Sequence, residues 1–404
     1  MVYKNLLLSA AFSLSVVAEY KDYLIVFGNS FSDIGNRNDF KYTVPWWNNR
    51  YSSGPVWDEY LASYNNYTLV NFAVGGAASN NTFLQSLVGV NVIYPSLLDQ
   101  VSMYTETFKG LYTNNDLKND VVAVEIGTND ILNSHDFIVN NTVNMQVFTD
   151  GVVLNTIAGI NNLIEFGYRK ILVANVPDIA RMPNYVGSSQ ADLDVINDFV
   201  VQINTKLAGN LTYLQETSQN NIDYIRIVPF YETLDVLHDQ TVSQAMKTTY
   251  LTESCYNIFN NGTYSACTDP DDYTYIDGVH ITTRAHSLLA AVFAQIISNP
   301  TFKVTKESLI SLISQYNVDQ VTIKNNYLFS GSFIGSEGVE IIEYNIKNAT
   351  SNAQSIAANK NSYSGSLTSS SFAPFATSSI ISATPTSSYS SGPNHPVASR
   401  CRKH

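Results

Sequence analysis

Leu24-Ile-Val-Phe-Gly-Asn-Ser-Phe-Ser-Asp-Ile-Gly-Asn36 opens with four apolar residues and then breaks at a glycine. A run this short, without polar alternation and bounded by turn formers, is the pattern of a strand buried on both faces. Val121-Val-Ala-Val-Glu-Ile126, Ile171-Leu-Val-Ala-Asn175 and Ile225-Arg-Ile-Val228 repeat it. Helical periods lie between them. Leu154, Ile157, Ile160, Leu163 and Ile164 share a face of a helix over 147–166, and further helices are predicted over 191–218 and 283–298. Strands alternating with helices specify a parallel sheet covered on both faces, a three-layer α/β/α fold of the α/β class.

The alternation occupies residues 19–300, and its flanks read differently. A helical stretch at 306–315, followed by alternating segments at 321–323, 327–329 and 339–344, predicts a small helix-plus-β extension over 301–347. From 348 to 404 Ser, Thr, Ala and Pro dominate, and this Ser/Thr-rich stretch is expected to be a disordered, O-glycosylated tail. At the amino end, Lys4, the apolar run Leu6–Val17 and the small residues Val16 and Ala18 form a secretory leader over 1–18. That run falls short of the roughly 20 residues that span a bilayer, and no later run reaches that length.

Composition agrees with export. Hydrophobic residues make up 45% of the 404, enough for a core, but charged residues only 14%, against about 25% in an average soluble chain. The net charge of −12 excludes a nucleic-acid partner, which needs a basic face. Sequons at Asn66, Asn80, Asn140, Asn210, Asn261 and Asn348 are candidate glycosylation sites. Cys255 and Cys267 bracket a short polar loop that an oxidising compartment would close as a disulfide; Cys401 is left over. A monomer without metal or other cofactor is expected.

The first strand delivers Ser30 to the carboxyl edge of the sheet, where open α/β sheets bind ligands. Alone, Gly-x-Ser is equally a turn that caps the next helix. The far end of the domain adds weight. In Tyr275-Ile-Asp-Gly-Val-His280 the carboxylate of Asp277 can reach Nδ1 of His280, leaving Nε2 for a nucleophile's proton. Gly127-Thr-Asn-Asp130 places the Asn129 amide at the same edge. Asn71-Phe-Ala-Val-Gly-Gly-Ala-Ala-Ser79 has the small residues that let a backbone N–H approach an oxyanion. The bland alternatives are a surface turn, a turn cap and a tight Gly-Gly turn.

FGNSFSDIGN, NFAVGGAAS, IGTND and DGVH, in this order, resemble the four sequence blocks of the GDSL, or SGNH, hydrolases. LVANVPDIARMP and RYSSGPVWDEYL resemble segments of its plant and fungal esterases and lipases, so the likeness covers roughly residues 22–298. The resemblance implies a flavodoxin-like SGNH hydrolase fold and a serine ester hydrolase. Ser30 would be the nucleophile, Asp277 and His280 the rest of the triad, and Ser30, Gly76 and Asn129 the oxyanion hole. One position departs: the family usually has Asp before the nucleophile, and this chain has Asn29, which keeps the shape but loses the charge.

Trp46, Trp47, Tyr51 and Trp57 follow the nucleophile block and could line an acyl groove, form a sugar platform or pack a long loop. The expected substrate is a carboxylic ester, of lipid or small-acyl type. The alternatives are a carbohydrate O-acetylesterase acting on acylated wall glycan and a catalytically silent wall glycoprotein.

Overall fold

Each of the apolar runs folds as a strand of one parallel sheet. In the computed structural model the described residues are 22–37, 46–218, 221–258, 264–324 and 342–361; the leader, Asn261 and Cys401 lie outside them. The runs become β1 (Tyr23–Gly28), β3 (Val121–Glu125), β4 (Lys170–Ala174) and β5 (Tyr224–Val228). A strand the sequence reading missed, β2 (Thr68–Asn71), pairs with β1. It is short, and only Leu69 and Val70 are apolar, so no run marks it.

Helices cover the sheet. On one side α1 (Trp57–Asn65) packs against α5 (Thr283–Ser298). Another packed set comprises α2 (Leu97–Thr107), α3 (Met145–Phe166) and α4 (Gln190–Thr217). By length and composition α3 could cross a bilayer, contrary to the expectation that no such run exists, but here half of it is buried against its neighbours. Trp57 stacks on Phe293 at 3.9 Å and is fully buried, so it belongs to this core and not to a substrate platform.

The carboxyl-terminal flank corrects the sequence reading twice. Helix α6 (Lys306–Gln315) forms as expected, but 321–323 is not a strand. Its backbone groups are taken by side chains instead: the Val321 carbonyl by Arg284 Nε at 2.8 Å, the Ile323 N–H by Asp271 at 3.0 Å. Residues 327–329 lie outside the described part. Glu343–Tyr344 does form a strand, β6, but it joins the central sheet beside β2, giving the order β6-β2-β1-β3-β4-β5. Buried Arg50 ties it to α1, with Nη2 2.6 Å from Glu59 and 2.9 Å from Glu343.

The second correction is α7 (Ile346–Asn361), which occupies the start of the stretch read as a disordered tail. Ala349, Ala353, Ile356 and Ala357 recur at helical spacing and are buried. Alanine, counted as low-complexity filler, is here the strongest helix former and the packing residue. Lys360 ends the interface. Its ammonium lies 2.5 Å from Asp120 and 2.8 Å from the Asp116 carbonyl, with almost no exposure on either side of the ion pair. Residues 362–404 lie outside the described part.

Cys255 and Cys267 are bonded and close a small antiparallel hairpin, Tyr256–Ile258 with Tyr264–Ala266. Among the sequons Asn66, Asn140 and Asn348 are exposed and Asn210 is half-buried. Asn80 is less open: it caps the helix Asn81–Val88 and donates to Asn155 at 2.9 Å.

Two stability predictions follow from the buried charges. Removing one partner of a buried pair leaves the other charge uncompensated, so Lys360→Met should cost about 3–5 kcal/mol in urea denaturation. Pairing it with Asp120→Asn should recover most of the loss; a single-variant cost under about 1 kcal/mol would reject the latch. Burial also raises carboxyls: Asp120, Asp130 and Asp271 to about 6 and Glu125 to about 7. The native state thus keeps protons that the unfolded chain loses near pH 4. Their stabilising contribution is full below that pH and is lost as pH rises through 6–7. The thermal midpoint should therefore fall between pH 5 and pH 8, and a midpoint that rises over this interval would contradict the assignment.

Candidate active site

Ser30 sits just past the end of β1, where Gln100 clamps the strand terminus: its Oε1 accepts the Gly28 N–H at 3.0 Å and its Nε2 donates to the Gly28 carbonyl at 2.9 Å. The chain then turns tightly, the Ser32 N–H donating to the Asn29 carbonyl at 3.1 Å. Ser30 Oγ lies 2.7 Å from His280 Nε2, across 250 residues of chain. His280 Nδ1 in turn lies 2.7 and 2.9 Å from the two oxygens of Asp277. A carboxylate facing Nδ1 assigns the proton to that nitrogen and leaves the Nε2 lone pair toward the serine.

Asp277 is held as an anion. Burial would raise its pKa, but the His280 ring and the surrounding donors outweigh burial and keep the carboxyl below its usual range. Those donors are the N–H groups of Val279 at 2.8 Å and His280 at 2.7 Å, and Trp46 Nε1 at 3.1 Å. A Cβ at Gly278 would fall on the Asn184 side-chain amide, which would have to swing aside. The disulfide hairpin supports it from behind, with Cys255 N–H donating to the Tyr275 carbonyl and Tyr256 N–H to that of Ile276.

The two oxyanion candidates are brought together. Val74 to Ala77 form a turn fastened to the nucleophile loop, with Val74 N–H donating to the Gly28 carbonyl at 3.1 Å and Gly75 N–H to Asp33 at 2.7 Å. Gly76 has φ +86°, and a Cβ there would sit 2.8 Å from the Tyr94 ring, so both backbone and space require glycine. Asn129 lies in the first turn of the helix Thr128–Asn133, and its amide donates to the Ala77 carbonyl at 3.0 Å. It therefore bridges to the Gly76 turn and does not cap its own. Behind it, Asp130 accepts from Ser79 N at 2.9 Å and Ser79 Oγ at 2.6 Å, locking the two segments to each other.

None of the other described histidines shares this arrangement. His286 is buried, accepts the Trp57 N–H at 3.2 Å, and is pushed down to about 3 by burial. His238 bonds the Leu234 carbonyl and the Tyr275 hydroxyl, and His135 pairs with Asp136 at the surface. The sequence reading did not single out Gln100, nor Glu125, which accepts from the Asn29 amide at 2.8 Å. No motif announces either; strand register brings Glu125, and packing of α2 on β1 brings Gln100, beside Ser30. Trp46 was a candidate for lining substrate, and the structure adds a second task by bonding it to Asp277.

A cavity of about 320 Å³ opens beside His280, lined by Trp46, Tyr51, Asn184, Tyr256, Asn257 and the 277–280 loop. The Tyr51 ring centre is 4.9 Å from that of His280, so the aromatic wall touches the His280 imidazole. Trp47 lies under the Arg50 guanidinium.

The chain is similar to the thermolabile hemolysin of Vibrio parahaemolyticus, 25% identical over 278 residues, 66% of this chain and 62% of the hemolysin, so it spans less than two thirds of that relative's length. It is similar to the GDSL esterase/lipase EXL2 of Arabidopsis thaliana, 26% identical over 331 residues, 67% of this chain and 86% of the relative. It is also similar to the inactive GDSL esterase/lipase-like protein 23 of the same plant, 22% identical, covering 66% of this chain and 77% of that one. The model of the GDSL-like lipase/acylhydrolase family matches residues 24–293, from β1 into α5. With that match taking in most of the chain, Ser30, Gly76, Asn129, Asp277 and His280 included, the protein belongs to the GDSL-like lipase/acylhydrolase family.

Proposed function

We propose that the protein is an exported serine ester hydrolase that cleaves carboxylic esters through an acyl-enzyme on Ser30. The observation that carries this reading is the continuous chain Asp277–His280–Ser30, with 2.7 Å at each link. His280 Nε2 takes the Ser30 proton as Oγ attacks the ester carbonyl. The Asp277 anion stabilises the imidazolium that forms and keeps its ring in line. The N–H groups of Ser30 and Gly76 and the Asn129 amide take the oxyanion; collapse expels the alcohol with the proton from His280. Water then enters by the same base and releases the acid. The leader, the sequons and the Cys255–Cys267 bond support export to an oxidising compartment.

For substrate, the primary reading is a lipid or small-acyl ester. The cavity beside His280 favours a second one. Among the described residues its walls are aromatic rings and amides with Val279 as the one aliphatic side chain, a lining suited to stacking and hydrogen-bonding a sugar ring. On that reading the protein is a carbohydrate O-acetylesterase. A panel of p-nitrophenyl esters of rising chain length, run beside an acetylated polysaccharide, separates the two. No turnover of any ester by folded protein would favour a catalytically silent wall glycoprotein.

Ser30→Ala is expected to leave the thermal midpoint near that of the unsubstituted protein and to abolish both ester turnover and labelling by an organophosphonate; labelling of a different serine would overturn the assignment. Asn129→Ala is expected to lower kcat by on the order of 10²–10³ with little change in KM, because its donor strengthens only as charge develops on the substrate oxygen. It also loses the bond to Ala77, about 1 kcal/mol of stability. A lowered midpoint with kcat within a few-fold of normal would leave Asn129 a purely structural role.

A further inference from the structure

We propose that Glu125 is a positioning residue for the nucleophile, acting through Asn29 with which it forms a matched amide–carboxylate pair under the turn. This rests on the reading of Ser30 as the nucleophile.

Both side chains are fully buried, and the register sets Gly28 directly opposite Glu125. The pair has one internally consistent arrangement. The Phe31 N–H can only donate, so the Asn29 atom it meets at 3.0 Å is Oδ1. That leaves Nδ2 to donate to Glu125 Oε1 at 2.8 Å. The second carboxylate oxygen accepts from Ser32 Oγ at 3.2 Å, and Ser32 Oγ in turn accepts from Trp57 Nε1 at 3.0 Å. The Asn29 main-chain N–H is a further donor to the carboxylate. Every partner given for Glu125 is thus a donor on the turn 29–32, and among the described residues no charged side chain acts on it from a neighbouring element. The site asks residue 29 for one acceptor and one donor at once, which an amide supplies without a proton and a carboxylate does not.

Above about pH 7 Glu125 is an acceptor-only carboxylate under the turn and fixes the Asn29 side chain. Asn29 Oδ1 then holds the Phe31 N–H, and Ser30 is strung between these two anchored residues. Its Oγ is aimed at His280 and its N–H at the oxyanion position by bonds that end on β3.

The test is a charge swap with shape kept. Asn29→Asp sets two carboxylates face to face, where they must share a proton to coexist. Its kcat should fall by about 10-fold or more relative to the unsubstituted protein at pH 8.5, less at pH 6, with KM little changed. Adding Glu125→Gln to Asn29→Asp restores one donor and one acceptor at the contact. It should bring kcat back to within about 3-fold and remove the extra pH dependence. Organophosphonate labelling at Ser30 is read in parallel. If the unsubstituted protein labels at Ser30 but the double variant is no faster, or no better folded, than Asn29→Asp, the pairing is overturned and the hydrolase reading stands. If the unsubstituted protein does not label at Ser30, both fall. Full kcat of Asn29→Asp at pH 8.5 also overturns the pairing.

Discussion

Parallel strands end on the same edge of their sheet, and adjacent strands lie about 4.8 Å apart. Here that constraint does most of the assembling. Val26 is opposite Asn71 and Gly28 opposite Glu125, so the segments leaving β1, β2 and β3 start out as immediate neighbours. The nucleophile turn, the Gly76 turn and the Asn129 helix need no long-range search once the register is set. Short bonds then fix their mutual positions: Asp33 to the Gly75 N–H, Asn129 to the Ala77 carbonyl, Asp130 to Ser79. A slip of one residue in β1 would turn Gly28 and Glu125 away from each other and undo the edge.

The imidazole arrives by another route. It is carried on a loop before α5, held by its own carboxylate, by Trp46 and by the disulfide hairpin behind Ile276. Nothing in the sheet register fixes where His280 falls; packing of α5 on α1 and the hairpin do so. The two halves of the proton-transfer pair thus belong to mechanically different parts of the fold, one on rigid strand ends and one on a braced loop.

What was legible in the sequence follows from this division. Strands buried on both faces advertise themselves as apolar runs, and α5, apolar nearly all round, was read with its observed bounds. Ser30, Asp277 and His280 could be named because their spacing and order carry chemical meaning. β2 could not, since two apolar residues make no periodic signal. The start of α7 was misread because its buried face is built mostly of alanine, whose helical value is invisible to a composition count. Glu125 stayed hidden inside a strand run, where a lone acid looks like an interruption; its bond to the Asn29 amide appears only in the folded chain. Trp46 was noticed only as a surface for substrate, because no local pattern points it at a carboxylate 231 residues away.

The edge strand β6 and the helix after it come from the far end of the domain: Lys360 meets Asp120 across 240 residues, and the Tyr23 hydroxyl meets the Ile356 carbonyl across 333. On a ribosome, β1 and β2 therefore emerge long before the piece that covers them. Until that piece is made, β2 presents an open row of backbone donors and acceptors, the kind of edge on which strands of other chains can add. Such distant contacts also close large loops, which makes them late in folding. The nascent chain thus has a window, ending only when β6 and α7 dock, in which the β2 edge stands open.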